Sequence, residues 1–274
     1  MQKQDGQDSD DRQPQDKAFA KGLMILEALT RSDGSSGVSE LAKEFSLTKS
    51  NVHRILQTLH AYGFVRKDGK NRYSPSLRYW ELGYEVWGRS RVGQAALHSA
   101  DGLAVQSGCL VHVTVADGDD LIFFERIGTP ISHPLRQIWP TGARVPVWQL
   151  IPEWRDFVAF QVAFIAALPQ AEFDSRASEL KHYCSAEAGL DFGALIGRVE
   201  FARDYGFARN VGEGLTDVRG TACAFVDEGG VPQGVLSTIS DLDKLPDERL
   251  PQVGRLTTLY AHSISHALGY RNVN

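Results

Sequence analysis

Residues 38–73 read VSELAKEFSLTKSNVHRILQTLHAYGFVRKDGKNRY. Two short amphipathic helices, broken at Ser46-Leu47, lead into a basic hairpin, the layout of a winged helix-turn-helix. Ser39 is the expected N-cap of the first helix, whose Leu41, Ala42 and Phe45 can face a core. Thr48 is expected to cap the second, its hydroxyl accepting an amide hydrogen bond, and Gly63 offers the left-handed conformation that ends helices. The spacing predicts a helix over 49–62.

Within that helix Val52, Ile55, Leu56 and Leu59 form one apolar stripe. At ~100° per residue, Ser50, Arg54 and Gln57 project from the other side, flanked by Asn51 and His53. Arginine can fork onto guanine, asparagine and glutamine can bracket adenine, and a hydroxyl serves either. Polar side chains also solvate the outside of any amphipathic helix, and for this helix alone that plainer reading would prevail. The preceding helix and turn shift the balance. So does Lys49, at a helix N-terminus where phosphate oxygens can be held. So does a hairpin marked by Phe64-Val65, Asp68-Gly69 and Arg72-Tyr73, bearing Arg66, Lys67, Lys70 and Arg72. The expected contacts to duplex DNA are Thr48, Lys49, Ser50, Asn51, His53, Arg54, Gln57, Lys67, Lys70 and Arg72.

Charge separates along the chain. The 274 residues carry 29 basic and 34 acidic side chains, net -5, which by itself argues against nucleic acid. Residues 17–92, however, hold 13 basic and 7 acidic residues, whereas residues 93–274 hold 14 and 22. The positive field is confined to one module. The expected organisation is an acidic, disordered tail over 1–16, a DNA-binding head over 17–75, a linker helix over 76–92 and a second domain over 93–274. The tail lacks the apolar stretch of a signal peptide, and the longest apolar run, Val158 to Leu168, is too short to span a bilayer, so a cytoplasmic protein without a membrane role is expected.

A first helix over about 19–29 presents Phe19, Leu23, Leu26 and Leu29 on one side. After Pro75, Leu77, Trp80, Leu82, Tyr84 and Trp87 recur in helical register, more apolar surface than a linker needs, and we expect that side to pack on a second subunit or on the distal domain. Beyond residue 92, Leu110 to Val115 pairs with Leu121 to Arg126, and Thr221 to Val226 with Val235 to Ser240. Helices are expected at 156–168, 191–204 and 247–268, the last with Val253, Leu256, Tyr260, Ile264 and Ala267 on one side. An antiparallel sheet flanked by helices is the economical assembly, giving an α+β chain.

Chemistry-bearing residues are sparse. Cys109, Cys184 and Cys223 are odd in number, with no CxxC, and read as buried or idle thiols. His262 and His266 make an HxxxH pair, but Ser263 stands where a zincin has Glu. No nucleophile, base and orienting group share a spacing. Neither catalytic residues nor a metal or cofactor is expected.

After residue 17 the chain resembles the IclR family of transcriptional regulators. The most specific stretch is SELAKEFSLTKSNVHRILQTLHAYGFV; Gly142, Arg144 and Pro146 in TGARVPV, the Gly206-Phe207-Ala208 run, Glu213 and the Leu236-Ser237 strand also match. The resemblance implies a GAF-like sensing domain and dimers or dimers of dimers on operators near genes of carbon catabolism. The chain departs from the family after TGARVPV, where Trp148, Pro152 and Trp154 replace small residues, and at Gly220 and Ala224, which stand for Cys and Pro. By correspondence with the family, Asn210, Gly220, Ser237 and Thr238, with Trp148 as a wall, are the candidate effector-binding residues, their donors suited to an organic acid. That Ser237 and Thr238 only satisfy a strand edge stays open beside this. The implied function is operator binding controlled by a small organic acid or aromatic-derived metabolite, with the sign of regulation open. The alternatives are a winged-helix adaptor for protein partners and an enzyme built on the distal domain.

Overall fold

A computed structural model describes residues 16–32, 34–131, 141–149, 158–184, 191–211 and 218–271. Tail residues 1–15, Pro152, Trp154 and Glu213 lie outside the described residues. The chain divides into two compact units after Trp87.

The first unit contains α1 (Lys17–Arg31), α2 (Val38–Glu44) and α3 (Lys49–Ala61), then the hairpin strands β1 (Val65–Lys67) and β2 (Tyr73–Pro75); α4 (Arg78–Arg89) begins in it. Asp16, read from sequence as the end of the tail, caps α1: its carboxylate accepts the amides of Ala18 and Phe19 at 2.8 and 3.0 Å. Those backbone hydrogen bonds hold its pKa below the usual carboxylate range. Ser39 does not cap α2. The helix starts one residue before it, and the Glu40 carboxylate reaches back to accept the Gly37 amide at 2.9 Å, satisfying a free donor from the third helical position instead. Thr48 caps α3 as expected, accepting the Asn51 amide at 3.3 Å, and Gly63 turns the chain out of it with φ 78°.

Ile25, Leu29, Leu41, Ala42, Val52, Leu56, Val65 and Tyr73 make the core of this unit. The expected α1 stripe divides. Leu29 is buried, but Phe19 is 67% and Leu23 45% exposed. With Leu26, Ile55, Leu59 and Tyr62 they line an open apolar groove of ≈ 730 Å³. Periodicity marks the apolar side of a helix without saying what covers it.

The second unit is one six-stranded sheet with helices on both faces. In chain order come α5 (Arg91–Ser107), β3 (Leu110–Asp117), β4 (Asp120–Gly128), β5 (Arg144–Pro146), α6 (Ala159–Ala167), α7 (Gln170–Tyr183), α8 (Phe192–Tyr205), β6 (Ala208–Asn210), β7 (Val218–Val226), β8 (Pro232–Asp241) and α9 (Leu250–Ala267). The sheet order is β5-β4-β3-β8-β7-β6, antiparallel throughout. Both expected hairpins are present. The short strands β5 and β6 and the helices α5 and α7 had no sequence signal strong enough to place them. α5 buries Gly93, Ala96, Ser99, Ala100, Leu103, Ala104 and Ser107, small residues but for Leu103, which leave no broad apolar stripe. Among the described residues no helix is long and apolar enough to cross a membrane.

α6 packs on one face of the sheet with α8 behind it, and α9 packs on the other with α5. The buried side of α9 is Val253, Thr257, Ala261 and Ile264, rotated from the expected one. Tyr260 instead lies over Gly102, where a Cβ would come within 2.7 Å of its ring, and its hydroxyl accepts the Gln106 amide at 2.7 Å.

Between β7, β8 and α9 runs a buried chain of hydroxyls. Thr221 and Thr238 Oγ1 are 2.8 Å apart, Thr221 and Thr257 Oγ1 are 2.7 Å apart, and Thr257 donates to the Val253 carbonyl at 2.9 Å. Removing one member strands its neighbours in an apolar layer. Thr257→Val is therefore expected to cost ~1–3 kcal/mol in urea unfolding monitored by far-UV circular dichroism. A midpoint equal to the parent's would show the chain contributes nothing to stability.

Candidate nucleic-acid interface and buried polar cavity

Val52 and Leu56 of α3 are fully buried, which fixes the helix in rotation and leaves Lys49, Ser50, His53, Arg54 and Gln57 exposed, with Asn51 half-buried. Arg54 stands at the margin, bordering the apolar groove as well. Thr48 spends its side-chain oxygen on the helix cap. On the hairpin, the Asp68 carboxylate accepts the amides of Lys70 and Arg72 at 2.9 and 2.8 Å and shapes the turn. Arg66, Lys67 and Lys70 are exposed there, with Lys67 Nζ 5.8 Å from the centre of the Tyr73 ring. Arg72 is occupied differently from the sequence reading. Its guanidinium forks onto both Glu40 oxygens at 2.8 and 2.9 Å, and its Nε donates to the Ser35 carbonyl and hydroxyl at 3.1 and 3.0 Å. A guanidinium held on two sides within the fold is a brace between hairpin and helix, not a free phosphate contact.

In the second unit, side chains alternate across the strands. Four of the five effector candidates, Asn210, Gly220, Ser237 and Thr238, border one buried cavity of ≈ 30 Å³, room for about one or two water molecules. Ser237 faces it from β8. Thr238 also borders it, but its hydroxyl is taken by Thr221 in the network reaching α9. Gly220 has a backbone reason to lack a side chain: a Cβ there would lie 2.0 Å from the Thr238 carbonyl oxygen. Asn210 Nδ2 is buried with no acceptor among the described residues.

Trp148 is not among the residues that border this cavity. It is buried in the core, with the Arg176 guanidinium 4.4 Å above its ring. Arg176 is ion-paired to Asp119 and, at 2.8 Å, to Glu179. Hydrogen bonds from Arg176, and secondarily from the Trp148 indole, hold the Asp119 carboxyl below its usual range. The indole thus fastens the β3–β4 hairpin to α7.

Sequence reasoning missed the most polar wall of the cavity. His112 on β3 stands opposite Ser237 on β8 and opposite Arg126 on β4, so the three occupy one row of one face. The imidazole meets the Phe123 ring edge-on at 5.4 Å between centres, and Phe160 of α6 borders the same space. Burial, reinforced by the nearby Arg126 charge, pushes the His112 pKa down to about 3. The signal was present: one histidine inside the run LVHVTV, where both faces are otherwise apolar or hydroxyl-bearing.

All three cysteines are free and buried. Among the described residues no group of three or more His, Cys, Asp or Glu side chains is placed to hold a metal ion.

Residues 18–69 match the family described as the IclR helix-turn-helix domain. Over 268 residues the chain is 25% identical to the HTH-type transcriptional repressor AllR of Escherichia coli, covering 93% of this chain and 91% of that protein. The fold is that of the crystal structure of Thermotoga maritima IclR, with a TM-score of 0.71 at 22% identity over 92% of this chain and 98% of that one. It is also that of an IclR homolog from Microbacterium hydrocarbonoxydans complexed with 4-hydroxybenzoate, with a TM-score of 0.69 at 17% identity over 92% and 98%.

A neutral buried histidine has a pH signature of definite sign. Its folded pKa, about 3, lies below the ordinary histidine value of 6.5, so on acidification the unfolded chain takes a proton that the folded chain refuses. Stability from this source is kept above pH 6.5 and falls by roughly 1.4 kcal/mol per pH unit below it. Between pH 7 and 5 the parent should lose about 2 kcal/mol more than His112→Asn in urea titrations; equal losses would mean the imidazole is protonated in the fold.

Proposed function

We propose that this chain, 25% identical to a transcriptional repressor over 93% of its length and matching the IclR helix-turn-helix domain over residues 18–69, is a ligand-responsive regulator of the IclR family that docks α3 in the major groove of operator DNA and senses a small organic acid. The observation that carries the DNA half is the exposed row Ser50, His53, Arg54 and Gln57 on a helix whose opposite side is locked in the core. Lys49 at the start of α3, and Lys67 and Lys70 on the hairpin, supply phosphate contacts on either side of it. In this reading residues 17–75 are the DNA-binding head, 76–92 the linker and 93–274 the sensing domain, at work in the cytoplasm. The likeness to AllR repressors favours repression, and that to a 4-hydroxybenzoate complex favours an aromatic or short organic acid, as suits an operon of carbon catabolism.

The second copy is argued from the first unit. Leu77, in the turn just before α4, and Trp80 and Tyr84 on it are 63%, 64% and 61% exposed, with the Trp80 and Tyr84 rings stacked at 5.1 Å. The same unit leaves the apolar groove between α1 and α3 open. Two such surfaces on one chain fit a two-fold dimer, in which each copy covers the other, and pairs of dimers can follow.

Arg54→Ala is expected to cost ~1–3 kcal/mol of operator affinity and to relax preference at one base position. Lys70→Ala should weaken all sequences alike and lower the slope of log affinity against log salt by about one. Arg72→Ala should leave that slope unchanged while lowering the unfolding midpoint of the head. Operator titrations at several salt concentrations check all three, and an Arg54→Ala protein that binds like the parent would remove the major-groove assignment. Sedimentation of Trp80→Ala should show a dimer dissociation constant raised about tenfold or more; an unchanged constant places the interface elsewhere.

A further inference from the structure

The buried cavity is too small for the ligand class assigned to it. At ≈ 30 Å³ it holds water, whereas sites for small molecules run to roughly 300–1,000 Å³. Directly outside it, between α8 and β6, lies an open cleft of ≈ 320 Å³ bordered by Ala194, Arg198, Phe201, Arg209, Asn210 and Val211 among others. Asn210 belongs to both walls. No carboxylate borders the cleft among the described residues, although residues 93–274 carry 22 acidic against 14 basic side chains.

Two donors there have no hydrogen-bond acceptor among the described residues. The Arg209 guanidinium lies flat over Phe201, 4.1 Å from the ring centre. Among the described residues it makes no hydrogen bond or ion pair, so its face is occupied and its N–H edge faces the cleft unpaired. Phe201 is held in turn by Tyr205, stacked at 4.4 Å, and by Phe207, edge-on at 5.8 Å. A guanidinium pre-set on an aromatic platform loses little freedom when a planar anion arrives. The second donor is the buried Asn210 Nδ2, the kind of orphan group that calls for an acceptor.

We propose that this outer cleft is a carboxylate-binding site, in which the Arg209 guanidinium grips the carboxylate edge-on and the Asn210 side-chain amide donates a further hydrogen bond, with the body of a small organic acid lying in the cleft and not in the buried cavity. The proposal rests on the reading that the second unit senses an organic acid, and it names the donors and the place.

Calorimetric titration of the full-length protein with succinate, glutarate, benzoate and inorganic phosphate tests it. At least one carboxylate should bind the parent more tightly than phosphate does. Arg209→Ala should weaken that acid by about tenfold or more, Arg209→Lys should recover only part of the loss because it cannot fork, and Asn210→Ala should weaken it less than Arg209→Ala. Arg209 is exposed and, among the described residues, meets only a ring face, so thermal midpoints should stay at the parent value and exclude misfolding as the cause. Parent-like affinity in Arg209→Ala, phosphate binding equal to that of every carboxylate, or no heat from any carboxylate each overturns the site. Operator binding measured with and without the acid separates the two readings. An acid that binds through Arg209 without altering operator affinity defeats the sensing role alone, and an acid that still releases DNA from Arg209→Ala defeats the cleft alone.

Discussion

The Glu40 carboxylate is the point on which the geometry of the head turns. One oxygen pair receives the Arg72 fork from the hairpin and the Gly37 amide at the start of α2, so the same group fixes a helix end and ties β2 to it. Because α2 packs on α3, the wing acquires a set position relative to the reading helix. The Arg72 hydrogen bond first, and the Gly37 amide second, push the Glu40 pKa down to about 2. A carboxylate with a depressed pKa makes its contribution above its unfolded value and loses it as pH falls towards the folded one, so at neutral pH the brace is complete. The pair is half-exposed, and exposed ion pairs are individually weak. Its value is directional: two parallel N–H···O bonds and a bond to Ser35 define an angle that a point charge would not.

The sheet of the second unit applies the same economy through alternation. Adjacent residues Ser237 and Thr238 serve opposite faces, one looking into a polar cavity under α6, the other joining the threonine chain under α9. The α9 face is satisfied: each hydroxyl there has a partner, and small residues let the helix approach. The α6 face differs in one place: among the described residues the Asn210 amide has no acceptor, beside a histidine that burial keeps neutral. An orphan donor at the border of a polar cavity is the kind of feature that marks one face as a site and the other as scaffold.

How much of this was legible follows from which forces each feature obeys. Local rules sufficed for α3, its Thr48 cap, the Gly63 exit and both long hairpins, since periodicity and turn chemistry act within a few residues. They failed where the partner is distant in sequence. Arg72 looked like a phosphate contact because Glu40 lies 32 residues away; Trp148 looked like a cavity wall because Arg176 and Asp119 claim it only after folding. The α1 stripe at Phe19 and Leu23 was legible as apolar, but not which part of it the core would cover. Of the cavity, correspondence with the family found Asn210, Gly220, Ser237 and Thr238, while His112 needed strand register, which no single segment encodes.

The quantities also bound what a ligand has to do. To change operator affinity it must favour one arrangement of the protein over another, and allosteric couplings of this kind amount to ~1–3 kcal/mol. A net hydrogen bond in a protein is worth ~0.5–1.5 kcal/mol, and one to a charged group ~1.5–3. Two donors engaged in one arrangement and idle in the other are therefore enough, and neither a large pocket nor a reshaped core is required. Opening the ≈ 30 Å³ cavity to admit an organic acid would instead displace Phe123 and Phe160 from close packing, spending several kcal/mol on repacking before any coupling appears. Energetics thus favours an effector that settles at the edge of the sheet, on β6 and α8, over one that enters the interior.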